Sequence, residues 1–263
     1  MFRNITIGQY FPGESPVHRL DPRTKIFLTL VMVVGLFFIE SMMGYAFIAA
    51  LAVVIIFTAG LPLRFVLRGI RPLVIILILT FALHLFLNEG RTLFTLGPLV
   101  ATYEGAYKGL LMVSRLILLI LVTSLLTLTT SPIALTDGVE SFLSPFRRIG
   151  VPAHELAMMM TIALRFVPTL LEETEKIMKA QMARGADFET GNVFRRAKSL
   201  VPLLVPLFVS AFRRADELAT AMEARCYRGG KGRTRMRELE MAFRDYVAIG
   251  VTVAIICCIA VYL

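Results

Sequence analysis

Residues 109–130, GLLMVSRLILLILVTSLLTLTT, form an almost unbroken apolar stretch whose only charged side chain is Arg115. A helix needs roughly 20 predominantly apolar residues to cross the hydrocarbon core of a bilayer, so this stretch predicts a membrane-spanning helix. The rest of the chain agrees, because 57% of its 263 residues are hydrophobic, far more than in an ordinary soluble domain. The composition therefore predicts an all-α, polytopic membrane protein.

Four further apolar runs lie at 26–39, 45–61, 72–87 and 246–263. Of the 28 basic residues, 18 fall between positions 131 and 244. Because Lys and Arg accumulate in cytoplasmic loops, we expect about five spans in the cell membrane, with the N-terminus inside and the C-terminus outside. The same bias accounts for the net charge of +9 without nucleic acid. The predicted parts are a cytoplasmic segment 1–25, transmembrane helices 1–4 in 26–130, a cytoplasmic region 131–244 and a last span in 245–263.

The region 131–244 is predicted to form amphipathic helices. Apolar residues recur at helical spacing from Leu156 and again from Leu204, which is the pattern of two long helices with one apolar face each. A shorter helix is expected to start at Ser131-Pro132, with Ser as its N-cap. Prolines are expected to kink or interrupt the second long helix near its start, at Pro202 and Pro206. The expected polar faces carry Glu172, Glu173, Lys176 and Lys179 in the first long helix and Arg213, Arg214, Asp216 and Glu217 in the second.

Catalytic signatures are missing from the sequence. His154-Glu155-Leu-Ala-Met158 begins like the zinc signature H-E-x-x-H but has Met in place of the second His. The Gly230-Lys231 pair lacks the preceding glycine of a P-loop. The three cysteines form no metal-ligand spacing. We therefore expect no enzyme, no cofactor and no metal site.

Two groups of basic residues have alternative interpretations. Arg115, inside an apolar run, is either functional or snorkels to the outer interface, and we favour snorkelling slightly. The run RGGKGRTRMR at 228–237 either binds a specific lipid head group or is the basic flank of the last span, held by anionic lipid at about 1 kcal/mol per residue. We favour the flank.

A short motif occurs twice in the second half of the chain. Residues 180–185 are AQMARG and residues 221–226 are AMEARC, and each closes a long helical pattern. An Arg in the last turn of a helix complements the macrodipole by about 0.3–1 kcal/mol. Small residues beside the Arg also suit a helix end that enters a groove, where the guanidinium reaches a carboxylate. Spacing alone leaves the helix cap and the partner plug equally favoured.

The chain resembles the transmembrane coupling subunit, or T component, of energy-coupling factor (ECF) transporters over nearly its whole length. The similarity rests on three patches in the family's order. They are His18-Arg-Leu20-Asp21-Pro22-Arg23-Thr-Lys25, Ala163-Leu-Arg165-Phe-Val-Pro168-Thr-Leu-Leu-Glu172-Glu173 running on to Ala180-Gln-Met-Ala-Arg184-Gly185, and Arg214-Ala-Asp216-Glu217-Leu followed by Ala221-Met-Glu223-Ala-Arg225.

The resemblance implies a non-catalytic subunit of a vitamin or metal-ion importer. Such a subunit joins two cytoplasmic ATPases of the ATP-binding-cassette type to one or several membrane-embedded S components, which select the substrate. The family's N-terminal motif falls on His18, Asp21, Pro22 and Arg23. Its ATPase-docking motifs fall on Ala183, Arg184, Gly185, Ala224, Arg225 and Cys226. Cys226 departs from the family's Gly, so a positive φ would be adopted less readily there.

An S component is expected to rest on the apolar face of the long helices, where unbranched methionines suit a surface that accepts different partners. The candidates are Met158, Met159, Met160, Met178 and Met182, although ordinary helix packing accounts for any one of them. The alternatives to a coupling subunit are a self-sufficient secondary transporter, which would need internal repeats and broken spans, and a conventional ABC permease.

Overall fold

The computed structural model describes residues 10–96, 99–186, 188, 193–229 and 239–262. Within them the all-α class is confirmed, since the only strands form one hairpin. The helices are α1 Pro22–Phe38, α2 Met42–Ala59, α3 Leu63–Ile70, α4 Val74–Leu87, α5 Tyr103–Thr129, α6 Pro132–Leu143, α7 Ala153–Ala183, α8 Val193–Ala224 and α9 Phe243–Tyr262. The hairpin pairs β1 Thr92–Leu96 with β2 Leu99–Thr102 in antiparallel order. Short 3-10 turns occupy Arg71–Leu73 and Ser144–Ile149.

The polytopic membrane class is also confirmed. In the described part of the chain, four helical segments are long and apolar enough to cross a membrane: Met42–Ala59, Leu63–Leu87, Tyr103–Thr129 and Ala153–Ala183. At most 33% of any of their apolar windows is buried inside the protein, so most of this apolar surface needs lipid or a partner to cover it. The first three segments have a mean hydropathy of 2.3, 2.4 and 2.4, against 1.2 for α7.

These four segments overlap only partly with the predicted five. Three coincide with the predicted second, third and fourth spans. The predicted first span corresponds to α1, which has 17 residues, and the predicted last span to α9, and neither is among the four. Helix α7, predicted to be cytoplasmic, is among them, with about half the mean hydropathy of the others. The number and orientation of the spans thus stay predictions.

The chain divides into two compact units. The bundle unit comprises Gly8–Gly138 and Glu238–Leu263, and the arm unit contains Val139–Arg237. In the bundle unit α5 is the central helix, packed against α1, α2, α3 and α4, while α9 packs against α1. Its core comprises Leu36 and Ile39 from the end of α1, Ile48 from α2 and Leu118 from α5, all nearly inaccessible to solvent. In the arm unit α7 and α8 pack against each other.

Glycine permits the closest helix approach in the bundle unit. A Cβ added to Gly105 of α5 would lie 2.5 Å from the carbonyl oxygen of His84 in α4, and one added to Gly109 would lie 3.1 Å from the ring of Phe81. Thr102 caps this end of α5 by accepting a hydrogen bond from the Gly105 N–H at 3.1 Å. The start of α5 can therefore lie directly on the backbone of α4.

Local predictions had mixed outcomes. The start of α6 is confirmed, since Pro132 is its first residue and the Ser131 hydroxyl accepts a hydrogen bond from the Ala134 N–H at 3.3 Å. Of the kink or interruption expected in α8, the interruption does not occur, because the helix is continuous through Pro202 and Pro206, and the kink stays a prediction. Each proline removes only one intrahelical hydrogen bond, and packing on α7 stabilises the helix as a whole. Most of the basic run 228–237 lies outside the described residues.

Candidate functional site

The two Arg motifs end their helices with the same backbone hydrogen bonds. At the end of α7, the Ala186 N–H donates to the Gln181 carbonyl and the Gly185 N–H to the Met182 carbonyl, both at 3.0 Å. Gly185 has φ +89°. These two bonds and the left-handed residue define a Schellman cap, which satisfies carbonyls that a helix end otherwise leaves free. Arg184 is the last residue before the left-handed turn.

Helix α8 ends in the same way, although glycine is absent. The Tyr227 N–H donates to the Met222 carbonyl at 3.0 Å, and the Cys226 N–H donates to the Glu223 carbonyl at 2.9 Å. Cys226 has φ +56° and is the only non-glycine residue with a positive φ in the described part of the chain. A side chain in this conformation costs about 1–2 kcal/mol. The two helix ends therefore share one backbone conformation, although Cys226 stands at the position where the resemblance leads us to expect Gly.

The side chains at both ends point into solvent. Ala183, Arg184 and Gly185 are exposed, as are Ala224, Arg225 and Cys226. Among the residues that the structure describes, neither guanidinium forms a salt bridge. Each helix thus presents a charged side chain, flanked by small residues, on an exposed and rigidly capped turn.

A polar contact joins the two helices about three helical turns before each Arg. In α7, Glu173 accepts a hydrogen bond from the Ser210 hydroxyl of α8, and its other carboxylate oxygen lies 2.8 Å from Nη2 of Arg214. The exposed fractions of the Glu173 and Arg214 side chains are 22% and 36%. The expectation that both lie on polar faces turned away from the helix contact was wrong. A carboxylate and a guanidinium can satisfy each other between two helices, which hydrophobic periodicity alone does not reveal.

The candidate methionines do not share one face of α7. Met160 and Met178 are separated by about five full turns of α-helix, and Met182 lies one turn further on. Met158 lies on roughly the opposite side from Met160. The structure exposes Met159, Met160 and Met182 and half-buries Met158 and Met178. Met160, Met178 and Met182 therefore form the one coherent group.

The N-terminal motif lies at the start of α1. The Asp21 carboxylate caps the helix by accepting from the Arg23 N–H at 2.8 Å, and Pro22 is the first helical residue. The Asp21 N–H donates to Oδ1 of Asp245 at 2.8 Å, and Oδ2 of Asp245 accepts from the Ala242 N–H at 2.9 Å. The motif thereby ties the start of α1 to the start of α9.

His18 holds the segment that precedes α1. Its Nε2 lies 3.0 Å from the Phe11 carbonyl oxygen and its Nδ1 lies 2.7 Å from the Ser15 hydroxyl. The neutral ring satisfies both contacts when Nε2 carries the proton and Nδ1 accepts from the hydroxyl. Burial lowers the pKa of His18, and the nearby Lys25 ammonium lowers it further, against the opposing effect of the Phe11 carbonyl. The neutral form is therefore favoured.

Lys25, the last residue of the N-terminal resemblance patch, is a buried cation to which the sequence analysis assigned no role. Its Nζ donates to the carbonyl oxygens of His18 and Thr129, each at 3.0 Å, and only 7% of the residue is exposed. The carboxylates of Asp245 and Asp21 interact with it electrostatically. Because Thr129 is the last residue of α5, this cation also offsets the negative end of the α5 dipole. Lys25 thus connects the N-terminal segment, α1, α5 and α9.

Arg115 contacts residues on both sides of the connection between α1 and α2, and whether it lies at the outer interface stays a prediction. Its Nε donates to the Tyr45 hydroxyl at 2.7 Å and its Nη2 to the Ile39 carbonyl oxygen at 3.2 Å. Ile39 is the C-cap of α1, and its carbonyl also accepts from the Tyr45 hydroxyl at 2.8 Å. The guanidinium lies 5.6 Å from the ring centre of Phe37, a distance typical of a cation–π contact. These contacts stabilise a half-buried cation.

Within the described residues, no group of three or more His, Cys, Asp or Glu side chains is placed to hold a metal ion. His154, the first residue of the incomplete zinc signature, contacts Glu140 through Nδ1 at 3.1 Å.

Comparison with known proteins identifies the family. Residues 13–236 match the family described as CbiQ, cobalt transport protein. The chain is 66% identical over 246 residues to the energy-coupling factor transporter transmembrane protein EcfT of Thermosediminibacter oceani, covering 94% of this chain and 93% of that protein.

Proteins of the same name from two other bacteria are also similar. The identity is 57% over 255 residues for Heliobacterium modesticaldum, covering 97% of this chain and 95% of the relative. It is 48% over 246 residues for Bacillus subtilis, covering 93% of each. With matches of this extent on a helical, membrane-spanning chain, the protein belongs to the CbiQ family and is a transmembrane T component of the energy-coupling factor transporters.

Proposed function

We propose that this chain is the non-catalytic coupling subunit of a vitamin or metal-ion importer. It transmits ATP-driven motion from two cytoplasmic ATPases to a membrane-embedded S component that binds the substrate. The observation that carries the proposal is the pair of exposed, identically capped helix ends at Arg184 and Arg225. Two equivalent ends suit two equivalent partners.

The chemistry of these ends favours docking into a protein groove. A Schellman cap fixes the direction in which the chain leaves the helix, and Ala183, Gly185, Ala224 and Cys226 add little bulk around the two cations. A guanidinium presents a planar set of donors that match a carboxylate in a bidentate pair. Each Arg is therefore expected to enter an acidic pocket on one ATPase subunit.

The remaining assignments follow from the same arrangement. The bundle unit lies in the cell membrane with its exposed apolar side chains in lipid, and the N-terminus and the arm unit are cytoplasmic. The S component contacts the exposed apolar surface of the arm unit, to which Met160, Met178 and Met182 contribute. ATP is hydrolysed in the partner subunits, and this chain contributes no catalytic residue.

The first test is a pull-down of the tagged chain from its native membranes in mild detergent, with every co-purifying protein identified. We expect two ATP-binding-cassette subunits, identical or different, and one or several small membrane proteins. The number of small partners separates a shared from a dedicated coupling subunit. A chain that purifies alone and transports a substrate after reconstitution would support the secondary transporter instead.

The second test reverses the charge at the helix ends. Arg184→Glu or Arg225→Glu is expected to weaken ATPase binding by about 30-fold to a few thousand-fold, because losing one partner of a buried charge pair costs about 2–5 kcal/mol. Binding is measured by titrating the purified ATPases against the chain in detergent.

The control for this test is Arg213→Glu, which reverses an exposed charge about 18 Å before Arg225 along α8. It should leave ATPase binding within experimental error. Unchanged binding in the Arg184→Glu, Arg225→Glu double variant would contradict the docking proposal.

A further inference from the structure

The contact between Glu173, Ser210 and Arg214, which we name the pin, lies at equivalent points of the two long helices. Arg214 follows Glu173 along the chain by the same separation at which Arg225 follows Arg184. The pin therefore lies equally far before the exposed Arg on each helix, at about three helical turns. We call the helix segments from Glu173 to Arg184 in α7 and from Arg214 to Arg225 in α8 the two arms. At 1.5 Å per residue, each arm is about 16 Å long.

The arms are uninterrupted helix on both sides. The internal proline of α7 is Pro168 and those of α8 are Pro202 and Pro206, so all three precede the pin in their own helix. Proline is the main cause of kinks within helices. Between the pin and the capped ends, each arm therefore acts as a straight lever.

The apolar contact beside the pin is made by small side chains. Ala211, Ala215 and Ala219 present a row of them from α8, at successive helical turns. Beside them lies a half-open groove of about 250 Å³, lined also by Ile162, Phe166 and Leu170 of α7. Large interlocking side chains restrict two helices to one crossing angle. A contact between small side chains restricts the crossing angle of α7 and α8 less, so the polar pin contributes more to holding the two helices in register.

We propose that the pin is the pivot of a symmetric lever pair, with Glu173 and Arg214 as positioning residues that set the separation of the two docking ends. This inference rests on the proposed function, because the lever matters only if both ends bind ATPases. The pin fixes the point at which α7 and α8 cross. The contact of small alanine side chains beside it lets the crossing angle change. With equal arms, closure of the ATPase pair moves both ends by the same distance.

The expected displacement is measurable. For an arm of about 16 Å, a change of about 10° in crossing angle, which is within the scatter seen among packed helices, moves one end by about 3 Å relative to the other. Without the pin, the crossing point is no longer fixed, and the separation of the ends should vary by at least this amount.

The test measures the distance between spin labels on the two arms. Ala180 and Ala221 are exposed and occupy matching positions in the two copies of the Arg motif, so Ala180→Cys and Ala221→Cys place one label on each arm. The background carries Cys226→Gly, Cys257→Ala and Cys258→Ala, because all three native cysteines are exposed. Pulsed electron paramagnetic resonance is recorded on the full chain and on its purified complex, with and without ATP.

We expect one narrow distance distribution for the parent. For Glu173→Gln we expect a distribution broadened or shifted by about 2 Å or more, because the labels lie about 10 Å beyond the pin and a change of about 10° in crossing angle moves them by that amount. The charge exchange Glu173→Arg with Arg214→Glu should restore much of the narrow distribution. Ser210→Ala, which leaves the ion pair intact, should give a smaller effect and provides the test if Glu173→Gln does not fold. Glu217→Gln is the matched control, since it breaks the Arg213–Glu217 ion pair at the surface of α8.

The two proposals fail in distinguishable ways. If ATPases do not bind even the parent chain, the proposed function fails whatever the label distances show. If the ATPases bind Glu173→Gln as well as they bind the parent, but the amount of substrate transported per ATP falls and the distances broaden, the pivot is supported. The pivot is overturned if the distribution of Glu173→Gln matches that of the parent, or if Glu217→Gln broadens it equally.

Discussion

Replacement of Lys25 by Met is expected to destabilise the bundle unit strongly. Methionine has nearly the length of the Lys stem, so the side chain still fills its space. What the substitution removes is the ammonium group, which donates to the carbonyls of His18 and Thr129 at 3.0 Å. Asp21 and Asp245, which are 7% and 2% exposed, then lose their nearby cation.

The magnitude follows from the two hydrogen bonds that the ammonium donates. Hydrogen bonds from a charged donor contribute about 1.5–3 kcal/mol each, so losing two of them costs about 3–6 kcal/mol. For a chain of this size each kcal/mol lowers Tm by roughly 2–4 °C. The expected decrease in Tm is therefore about 6–24 °C.

The assay is thermal unfolding in detergent, followed by circular dichroism at the helical band because the chain contains no Trp. Arg19→Met is the matched control, since the Arg19–Glu14 pair is exposed, and it should change the free energy of unfolding by less than about 0.5 kcal/mol. Adding Asp245→Asn to Lys25→Met should cost less than the sum of the two single changes, because it removes an uncompensated carboxylate. A decrease no larger than that of Arg19→Met would refute the reasoning.

Three further predictions concern other contacts. Cys226→Gly removes the strain of a side chain at positive φ, so it should keep ATPase binding and stabilise the end of α8 by about 1 kcal/mol. Hydrogen exchange of the last turn measures this stabilisation. Cys226→Val should weaken ATPase binding, since a β-branched residue disfavours this conformation. Arg115→Met should lower the free energy of unfolding by about 2–3 kcal/mol through loss of the charge-assisted hydrogen bonds to Tyr45 and Ile39. Arg115→Lys should be destabilised as well if the forked guanidinium is needed for both bonds. Thermal unfolding compares the two variants with the parent. Burial lowers the pKa of His18 below its usual 6.5 in the folded protein. As the pH falls, the imidazole is therefore protonated first in the unfolded chain. The contribution of His18 to stability is full above pH 6.5 and is lost as the pH falls through the folded pKa. Proteolysis of the N-terminal segment should therefore accelerate as the medium is acidified in the parent and not in His18→Gln.

Hydrophobic pattern alone predicted most of the fold. Five apolar runs correspond to helices, with boundaries within about four residues for α1, α2, α4 and α9 and a predicted start about six residues too late for α5, because an apolar face must be buried or covered by lipid wherever it lies. The helical segment that includes the predicted third span starts earlier, at Leu63, and reaches α4 through α3 and the 3-10 turn at Arg71–Leu73. Arg64 and Arg68 interrupt the apolar pattern there, so the pattern did not reveal α3. The hairpin of β1 and β2 was missed, since strand pairing of a few residues depends on a partner strand and not on local pattern.

The site was predicted where the information is local and missed where it is not. Two copies of one helix-end motif are visible in the sequence, and both helices end there. The contacts of Lys25 and Arg115 were not predicted because most of their partners are backbone carbonyls, and a carbonyl leaves no trace in the amino-acid sequence. Glu173 and Arg214 were assigned to polar faces because their pairing, too, joins segments far apart in the chain. One signal did point to them: their separation in the chain equals that of the two Arg motifs.

The two units differ in how polar contacts hold them, which makes their roles separable by experiment. In the bundle unit, Lys25 and Asp245 are almost completely buried, and removing either charge leaves groups that water cannot reach. In the arm unit, the pin is partly exposed, and water can replace a lost partner at little cost. Breaking the pin should therefore change geometry more than stability, whereas breaking the Lys25 contacts should do the reverse. If Glu173→Gln lowers Tm as much as Lys25→Met does, the pin mainly stabilises the folded arm unit and does not act as a pivot.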